Sequence, residues 1–175
     1  MTDTPHPEFS RIIDIRHLDA KPITLTASAE EAKALAKRFD LVAVHSLAAS
    51  VAVTADDTSF RVTGRLTADI VQSCAISGED LPVIIDEPLN LRFVPASEIP
   101  AEPSDEEIEI TEEDCDEIEF SGERFDLGEA VAQSLGLAID PFAEGPEAER
   151  VRREVGLSDE GASGPFAALA ALKKQ

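Results

Sequence analysis

The sequence predicts an α+β fold, in which a curved antiparallel β-sheet with a hairpin core packs against two main helices. Strict alternation of apolar and polar residues over 60–70, and a looser alternation of opposite parity over 81–93, predict two half-buried strands. Two segments that begin at Ser28 and Asp126 combine a capping residue with apolar residues at helical spacing, which predicts the helices. The rest of the chain predicts an acidic loop and a mobile C-terminal tail, because it contains few large apolar residues in a regular pattern.

The N-terminal part predicts a strand, a helix and a second strand in turn. Residues 9–18 are rich in isoleucine with charges between the apolar positions, which favours a strand. Ser28 followed by Glu31 matches a capping box, in which the two side chains satisfy free backbone N–H groups at a helix start. The second half of residues 41–53 is small and β-branched and predicts the next strand. The polar residues 55–58 predict the turn that follows it.

The two alternating strands restrict each other's register. Apolar residues occupy the even positions of the first strand and the odd positions of the second strand. A slip of one residue would expose the apolar set of one strand. The numbers of two paired residues must therefore sum to an odd value. Closing the hairpin across Cys74 and Leu81 would place Thr63 opposite Arg92. The outer face then carries a cluster of three arginines: Arg61, Arg65 and Arg92.

The second alternating strand is predicted to lie at a sheet edge or to be interrupted. Pro82 and Pro88 lack the N–H group that a central strand donates to its neighbours. Residues 117–120 predict a short returning strand. Asp126 and Glu129 then cap the helix DLGEAVAQSLGLAI, which Pro141 ends.

Length favours one domain with residues left over for tails. We predict a flexible N-terminus over 1–8, a single α+β domain over 9–142 with an acidic linker at 95–116, and a mobile tail over 143–175. The N-terminus has no signal-peptide pattern and no apolar run is long enough for a membrane span. The sequence therefore predicts a cytoplasmic protein without a membrane partner.

The formal charge of −21 is concentrated in one segment. Residues 98–129 contain fifteen acidic residues and one basic residue. Such a balance opposes general binding to DNA or RNA phosphates and favours basic protein partners. The segment is interpreted as a solvated loop, as a docking surface for a basic partner or as a weak metal site, although a calcium loop would need a glycine that is missing. The candidate partner-binding residues are Asp105, Glu106, Glu107, Glu109, Glu112, Glu113 and Asp114.

No catalytic, cofactor or metal site is predicted. The chain has no nucleophile elbow, phosphate-binding loop or dinucleotide motif, and its three histidines have no metal-ligand spacing. Cys74 is followed three positions later by Ser77, so the two-cysteine pattern of a zinc or redox site is incomplete and Cys74 is interpreted as a small buried residue. Arg61, Arg65 and Arg92 are either neutralised by the protein's own acidic segment or are candidates for contact with RNA phosphate.

The order of features resembles the YceD family of large ribosomal RNA subunit accumulation proteins. The resemblance runs through FSRIIDIRHL, SAEEAKALAKRFDLVAVHSL and FRVTGRLTADIVQSCAISGEDLPVIIDEPLNLRFVP to FDLGEAVAQSLGLAIDPFAEGPE, and the closing PFAALAALKK is similar to tails of alphaproteobacterial members. A glycine-containing strand leads into a cysteine, a further strand ends in phenylalanine, and an acidic stretch precedes a D-L-x-E helix. The positions that match this pattern are Gly64, Cys74, Phe93, Asp126, Leu127 and Glu129.

The resemblance implies support for the synthesis, processing or stability of 23S ribosomal RNA, without known catalytic residues. Many members have a second cysteine where this chain has Ser77, so a thiol-pair or metal role would not transfer. Together with the acidic charge, this predicts a non-catalytic factor that binds a basic ribosomal protein or a ribosome assembly factor. The alternatives are an RNA-contacting module that uses the three arginines and an unrecognised enzyme.

Overall fold

A computed structural model describes residues 7–18, 21–96 and 116–156, and the acidic candidates at 105–114 lie outside these ranges. The elements, in chain order, are β1 (Ile12–Asp14), a short 3-10 helix (Ile15–His17), β2 (Ile23–Thr26), α1 (Ala29–Arg38), β3 (Ala43–Asp56), β4 (Ser59–Ser73), β5 (Asp80–Pro95), β6 (Asp116–Phe120), β7 (Arg124–Asp126), α2 (Leu127–Ala138) and α3 (Ala148–Val155).

The described strands form a five-stranded sheet in the order β2-β3-β4-β5-β6 and a small sheet of β1 with β7. The first four strands of the large sheet are antiparallel, and β6 joins β5 in the parallel direction, so the sheet is mixed at that edge. A register shift between Val44 and Ser46 marks a bulge, which bends a strand. The predicted α+β class with a curved sheet is confirmed.

The hairpin of β4 and β5 confirms the predicted faces but not the predicted register. Arg61 lies opposite Arg92, and Thr63 lies opposite Asn90, so the pairing is shifted by two residues from closure across Cys74 and Leu81. The ladder closes at Ser73 and Asp80, and the turn begins with the Cys74 N–H donating to the Glu79 carbonyl at 2.8 Å. A shift of two keeps every side chain on its face, because the side-chain period of a strand is two.

The position of β5 agrees with its prolines. Antiparallel pairing with β4 runs from Asp80 to Phe93, whereas β6 pairs only with residues 91–95. In the part of the chain that the structure describes, no strand pairs with the other side of residues 81–90. Among the described strands, this stretch lies at an edge of the sheet, as its prolines predict.

The helices begin as their caps predict. The Ser28 hydroxyl accepts from the Glu31 N–H, and the Glu31 carboxylate accepts from the Ser28 N–H, which completes the capping box of α1. At the other end of α1, the Phe39 ring packs so closely on α2 that a Cβ at Gly136 would lie 2.7 Å from it. The two helices and the sheet share one core, whose large fully buried members include Leu35, Leu47, Leu66, Ile70, Phe93, Leu127 and Leu135.

A third helix lies in the segment that the sequence analysis assigns to a mobile tail. Residues 143–156 contact the turn of the β4–β5 hairpin, where the Ala75 N–H donates to the Ala143 carbonyl at 3.0 Å and the Glu147 N–H donates to Glu79 at 3.0 Å. Ala148, at the start of α3, is buried. These contacts are made mostly by backbone groups, which a search for apolar periodicity does not detect. The rest of the predicted tail, 157–175, lies outside the described residues.

Candidate partner-binding surface

The three candidate arginines lie together on the outer face of the β4–β5 hairpin. Arg61 and Arg92 are direct cross-strand neighbours, and Arg65 is further along β4, opposite Pro88. Side chains at these odd positions of β4 and even positions of β5 point away from the core, because neighbours such as Val62, Leu66 and Phe93 are buried. The predicted basic spot is therefore present.

Within the described part of the chain, carboxylates engage Arg65 and Arg92. Arg65 forms an ion pair with Asp86 of β5. The hydrogen bond raises the pKa of Arg65 and lowers that of Asp86. Arg92 donates to Glu117 of β6 at 3.0 Å and to the Ser59 hydroxyl at 3.3 Å. This arrangement favours neutralisation of the two arginines by the protein's own carboxylates over a site that binds phosphate. One of these carboxylates, Glu117, belongs to the acidic run of residues 98–129.

The ends of the acidic linker are fixed by the parallel pairing of β6 with β5. The chain leaves the sheet after Pro95 and re-enters it with Asp116 opposite Leu91. A parallel neighbour requires a crossover connection of about a dozen residues or more, and residues 96–115 are this connection. The acidic candidates therefore precede, in sequence, the strand that pairs with residues 91–95 of β5.

Asp126 joins three segments of the chain. Its carboxylate accepts from the Glu129 N–H at 3.1 Å and so caps α2. It also accepts from the Ser10 hydroxyl at 2.5 Å and from the Arg11 N–H at 2.8 Å. Beside it, Leu127 is fully buried. The D-L pair of the family pattern thus ties the N-terminal segment to α2.

Glu129 links the two main helices. Its carboxylate accepts hydrogen bonds from both terminal nitrogens of Arg38, at 2.7 and 2.8 Å. Arg38 also donates a hydrogen bond to Glu8 at 3.0 Å. A paired, two-bond geometry of this kind is the stronger form of an arginine–carboxylate contact. The bonds with Arg38 hold the pKa of Glu129 below its ordinary value of 4.5.

Replacing Glu129 by glutamine is expected to lower the free energy of unfolding by about 1 kcal/mol at neutral pH. Because the folded-state pKa of Glu129 is lowered, its contribution is present above pH 4.5 and is lost as the pH falls through that lower pKa. In urea unfolding, the difference in free energy of unfolding between the variant and wild type should therefore be smaller at pH 3 than at pH 7. Glu30→Gln, an exposed carboxylate of α1, is the control, and a difference that stays constant with pH would contradict the role of the ion pair.

The other family-pattern residues lie in tightly packed places. A Cβ at Gly64 would lie 2.2 Å from the Ser50 carbonyl oxygen of β3. Phe93 stacks on Phe125 with ring centroids 4.1 Å apart. Cys74 is buried, and its sulfur accepts from the N–H groups of Ser77 and Gly145, both at 3.3 Å.

The environment of Cys74 has an electrostatic consequence. Hydrogen bonds from the Ser77 hydroxyl and N–H, together with the Gly145 N–H, lower the pKa of the Cys74 thiol to about 7, against the opposing effect of desolvation. The same bonds connect the hairpin turn to the segment that leads into α3. Cys74 therefore holds two parts of the chain together.

Among residues 7–18, 21–96 and 116–156, no group of three or more histidine, cysteine, aspartate or glutamate side chains could hold a metal ion. Within the same residues, no helix has the length and apolar character needed to cross a membrane. A hollow of about 360 Å³ beside β6 includes Asp126 and Glu129, whose carboxylates already serve the helix cap and the ion pair.

A family model described as "Large ribosomal RNA subunit accumulation protein YceD" matches residues 62–173, which is more than half of the chain. The chain belongs to the YceD family. The match contains the β4–β5 hairpin from Val62 onward, α2, α3 and all six positions of the family pattern. It does not include the segment from Phe9 to Arg61 that the sequence resemblance also covered. No match was found among curated proteins or among solved structures.

The six positions of the YceD family pattern share one kind of structural environment. Each of them either packs in the core or joins separate segments of the chain, and within the described ranges none belongs to a group of acidic, histidine or cysteine side chains that could hold a metal ion. The contacts that the structure shows for the pattern residues are therefore contacts within the fold. A surface that binds a partner has to be sought among other residues.

Proposed function

We propose that this YceD protein supports the accumulation of 23S ribosomal RNA as a non-catalytic cytoplasmic factor, and that it does so by binding a basic ribosomal protein or ribosome assembly factor. The family description supports the ribosomal part of the proposal. The charge distribution supports a protein partner, because a chain of net charge −21 attracts cations and repels phosphates.

The observation that carries the choice of partner is the engagement of Arg65 and Arg92 by Asp86 and Glu117. The basic spot is largely compensated from within, whereas residues 98–129 hold fifteen acidic residues against one basic residue. We assign partner binding to seven carboxylates of this run: Asp105, Glu106, Glu107, Glu109, Glu112, Glu113 and Asp114.

Contact with RNA is the second candidate, and one observation favours it. Arg61 and Arg92 are direct neighbours across the hairpin and lie on the face that points away from the core. Two guanidinium groups at this spacing could hold one phosphate through several charge-assisted hydrogen bonds. On this alternative, replacing Arg61, Arg65 and Arg92 by glutamine would remove RNA binding and flatten its dependence on salt.

The role in RNA accumulation is tested by depleting the protein in its own cells and measuring 23S relative to 16S RNA. We expect 23S RNA to fall and to recover when wild-type protein is supplied. A variant with amides at the seven carboxylates should bind its partner about tenfold more weakly or worse, because each exposed ion pair contributes about 0.2–1 kcal/mol. It should therefore restore 23S RNA poorly.

The matched control is the triple arginine variant, which should restore 23S RNA as well as wild type does. If depletion left the ratio of 23S to 16S RNA unchanged, the proposed role would be wrong. If the amide variant restored the RNA fully and the arginine variant did not, the second candidate would replace the first.

A further inference from the structure

A hollow of about 500 Å³ lies at the end of the sheet where the β4–β5 hairpin turns, and is called here the hairpin-end hollow. Its walls come from the loop between α1 and β3, from the end of β4 and from the loop after α2: residues 39–42, 72–73 and 139–141. Leu41 and Ile139 pack against the core, whereas Val42 is 49 % exposed. The hollow therefore presents an apolar surface to solvent.

The charged groups on the walls of the hairpin-end hollow are carboxylates. Among the described residues, Asp40 and Asp140 line it and no lysine or arginine does. Within the same residues, the Asp40 carboxylate has no hydrogen-bond or ion-pair partner, and Asp140 accepts only the backbone N–H of Phe142, at 2.9 Å. Lys37, in the last turn of α1, is exposed and forms no ion pair with either carboxylate. The hollow therefore favours an occupant with positive charge.

The segment that closes the sequence, PFAALAALKK, complements these walls in apolar character and in charge. Phe166, Leu169 and Leu172 recur at every third residue, which would place them on one side of a helix. Lys173 and Lys174 follow them directly. A helix of about ten residues is marginal on its own in water, so its apolar side requires a surface to pack on.

The chain between α3 and this segment is long enough to reach the hairpin-end hollow. The hairpin turn, to which residues 143–148 attach, begins directly after Ser73, and Ser73 lines the hollow. α3 is about 12 Å long, and residues 157–165 can span at most about 30 Å. Phe166 can therefore return along the length of α3 to the hollow. The YceD family match also runs from the hairpin to residue 173 and so includes this segment.

Tethering favours the chain's own segment over other occupants of the hollow. A segment attached beside its site acts at an effective concentration of about a millimolar. A second copy of the chain would instead have to approach a protein of the same net charge, −21. The segment from the same molecule is therefore the favoured occupant.

We propose that residues 165–174 of the chain dock as a short helix in the hairpin-end hollow. The three large apolar side chains of the segment pack on the apolar part of the walls, and its two lysines pair with Asp40 and Asp140. The docked segment covers the end of the sheet where the loops after α1 and α2 meet the hairpin. This inference goes beyond the proposed function and does not rest on it.

The test is nuclear magnetic resonance spectroscopy of the full-length protein, with nuclear Overhauser contacts as the measure of which side chains touch. We expect contacts of Phe166 and Leu169 with the methyl groups of Val42 and Ile139, and we expect them to persist on dilution. Leu169→Asp should abolish them. Ala167→Asp is the matched control, because it adds the same charge on the opposite side of the helix and should leave them in place.

A second pair of variants tests the charge. Asp40→Asn should weaken the same contacts, since it removes a carboxylate that faces the lysines. Asp57→Asn is its control and should leave them unchanged, because Asp57 lies in the β3–β4 turn, at the other end of β4 from the hollow. The two aspartates are exposed and have similar left-handed backbone conformations, with φ of 53° and 56°, which asparagine also adopts.

Three results would overturn the inference. The contacts of Phe166 and Leu169 with the walls of the hollow could be absent from the wild-type protein. They could respond equally to Leu169→Asp and Ala167→Asp, which would exclude docking through the apolar side of a helix. They could also disappear on dilution, which would mean that the segment of a second copy occupies the hollow. Equal spectra of the Asp40→Asn and Asp57→Asn variants at the walls of the hollow would overturn the pairing of the lysines.

Discussion

Replacing Gly64 by alanine is expected to lower the free energy of unfolding by about 3 kcal/mol or more, or to prevent folding. The added Cβ would lie 2.2 Å from the Ser50 carbonyl oxygen and 2.7 Å from the Val51 Cα. Both atoms belong to the backbone of β3, so no change of rotamer can relieve the overlap. Gly64 pairs directly with Val51, and separating the strands there would break the centre of the sheet.

Gly78→Ala is the matched control, because it makes the same chemical change without the overlap. Gly78 has a φ of 71° in the hairpin turn, and no atom lies within 4 Å of the position of an added Cβ. Its cost should be that of the left-handed conformation, about 1–2 kcal/mol. Urea unfolding of both variants decides the matter. If Gly64→Ala were no more destabilising than Gly78→Ala, the close approach of β3 and β4 would be incorrect.

Truncating Phe125 to alanine should cost about 3–5 kcal/mol of unfolding free energy. Phe125, in β7, is 4 % exposed and lies at the centre of an aromatic cluster, with ring centroids 4.1 to 5.9 Å from those of Phe93, Phe60 and Phe120. The truncation leaves a cavity between the small sheet and the large sheet, next to the start of α2. The three remaining rings cannot fill it, since each is held by its own strand.

Phe142→Ala is the control for this truncation, because the Phe142 side chain is 79 % exposed. We expect it to change the free energy of unfolding by no more than about 0.5 kcal/mol. Thermal and urea unfolding of the two variants should therefore differ widely. Equal effects would show that the aromatic cluster is not the centre of the core.

The features that the sequence predicted correctly are those that depend on local periodicity. Strict alternation over residues 60–70 and a looser alternation over 81–93 predicted β4, β5 and their faces. The Ser28–Glu31 capping box and the Asp126 cap predicted the starts of both main helices. In each case the information lies within a few neighbouring residues, because side-chain direction and free N–H groups are properties of a single element.

The features that the sequence did not predict depend on contacts between separate elements. The register was wrong by two residues, since parity allows any even shift and the turn from Cys74 to Glu79 selects one of them. β2 is too short for a visible alternation. β6 is parallel to β5 because of the path of the chain between the two strands, and a local sequence pattern contains no information about that path. The segment that leads into α3 contacts the hairpin turn through its own backbone groups.

The candidate surface was predictable only in part for the same reason. The alternation placed Arg61, Arg65 and Arg92 on one face, but their acidic partners depend on tertiary structure. Asp86 reaches Arg65 because the observed register brings it close, and Glu117 reaches Arg92 because β6 lies beside β5. The position of residues 81–90 at an edge of the described sheet was anticipated from their prolines, whereas the groove between β5 and α2 depends on packing between distant segments.

Affinity capture of the tagged protein from its own cells, with and without RNase, tests the central claim most directly. The seven-amide variant and the triple arginine variant are captured in parallel. We predict that large-subunit ribosomal proteins or assembly factors are retained after RNase, are lost with the amide variant and remain with the arginine variant. Recovery of 23S precursor RNA with loss of every protein after RNase, and retention that depends on the arginines instead, would contradict it.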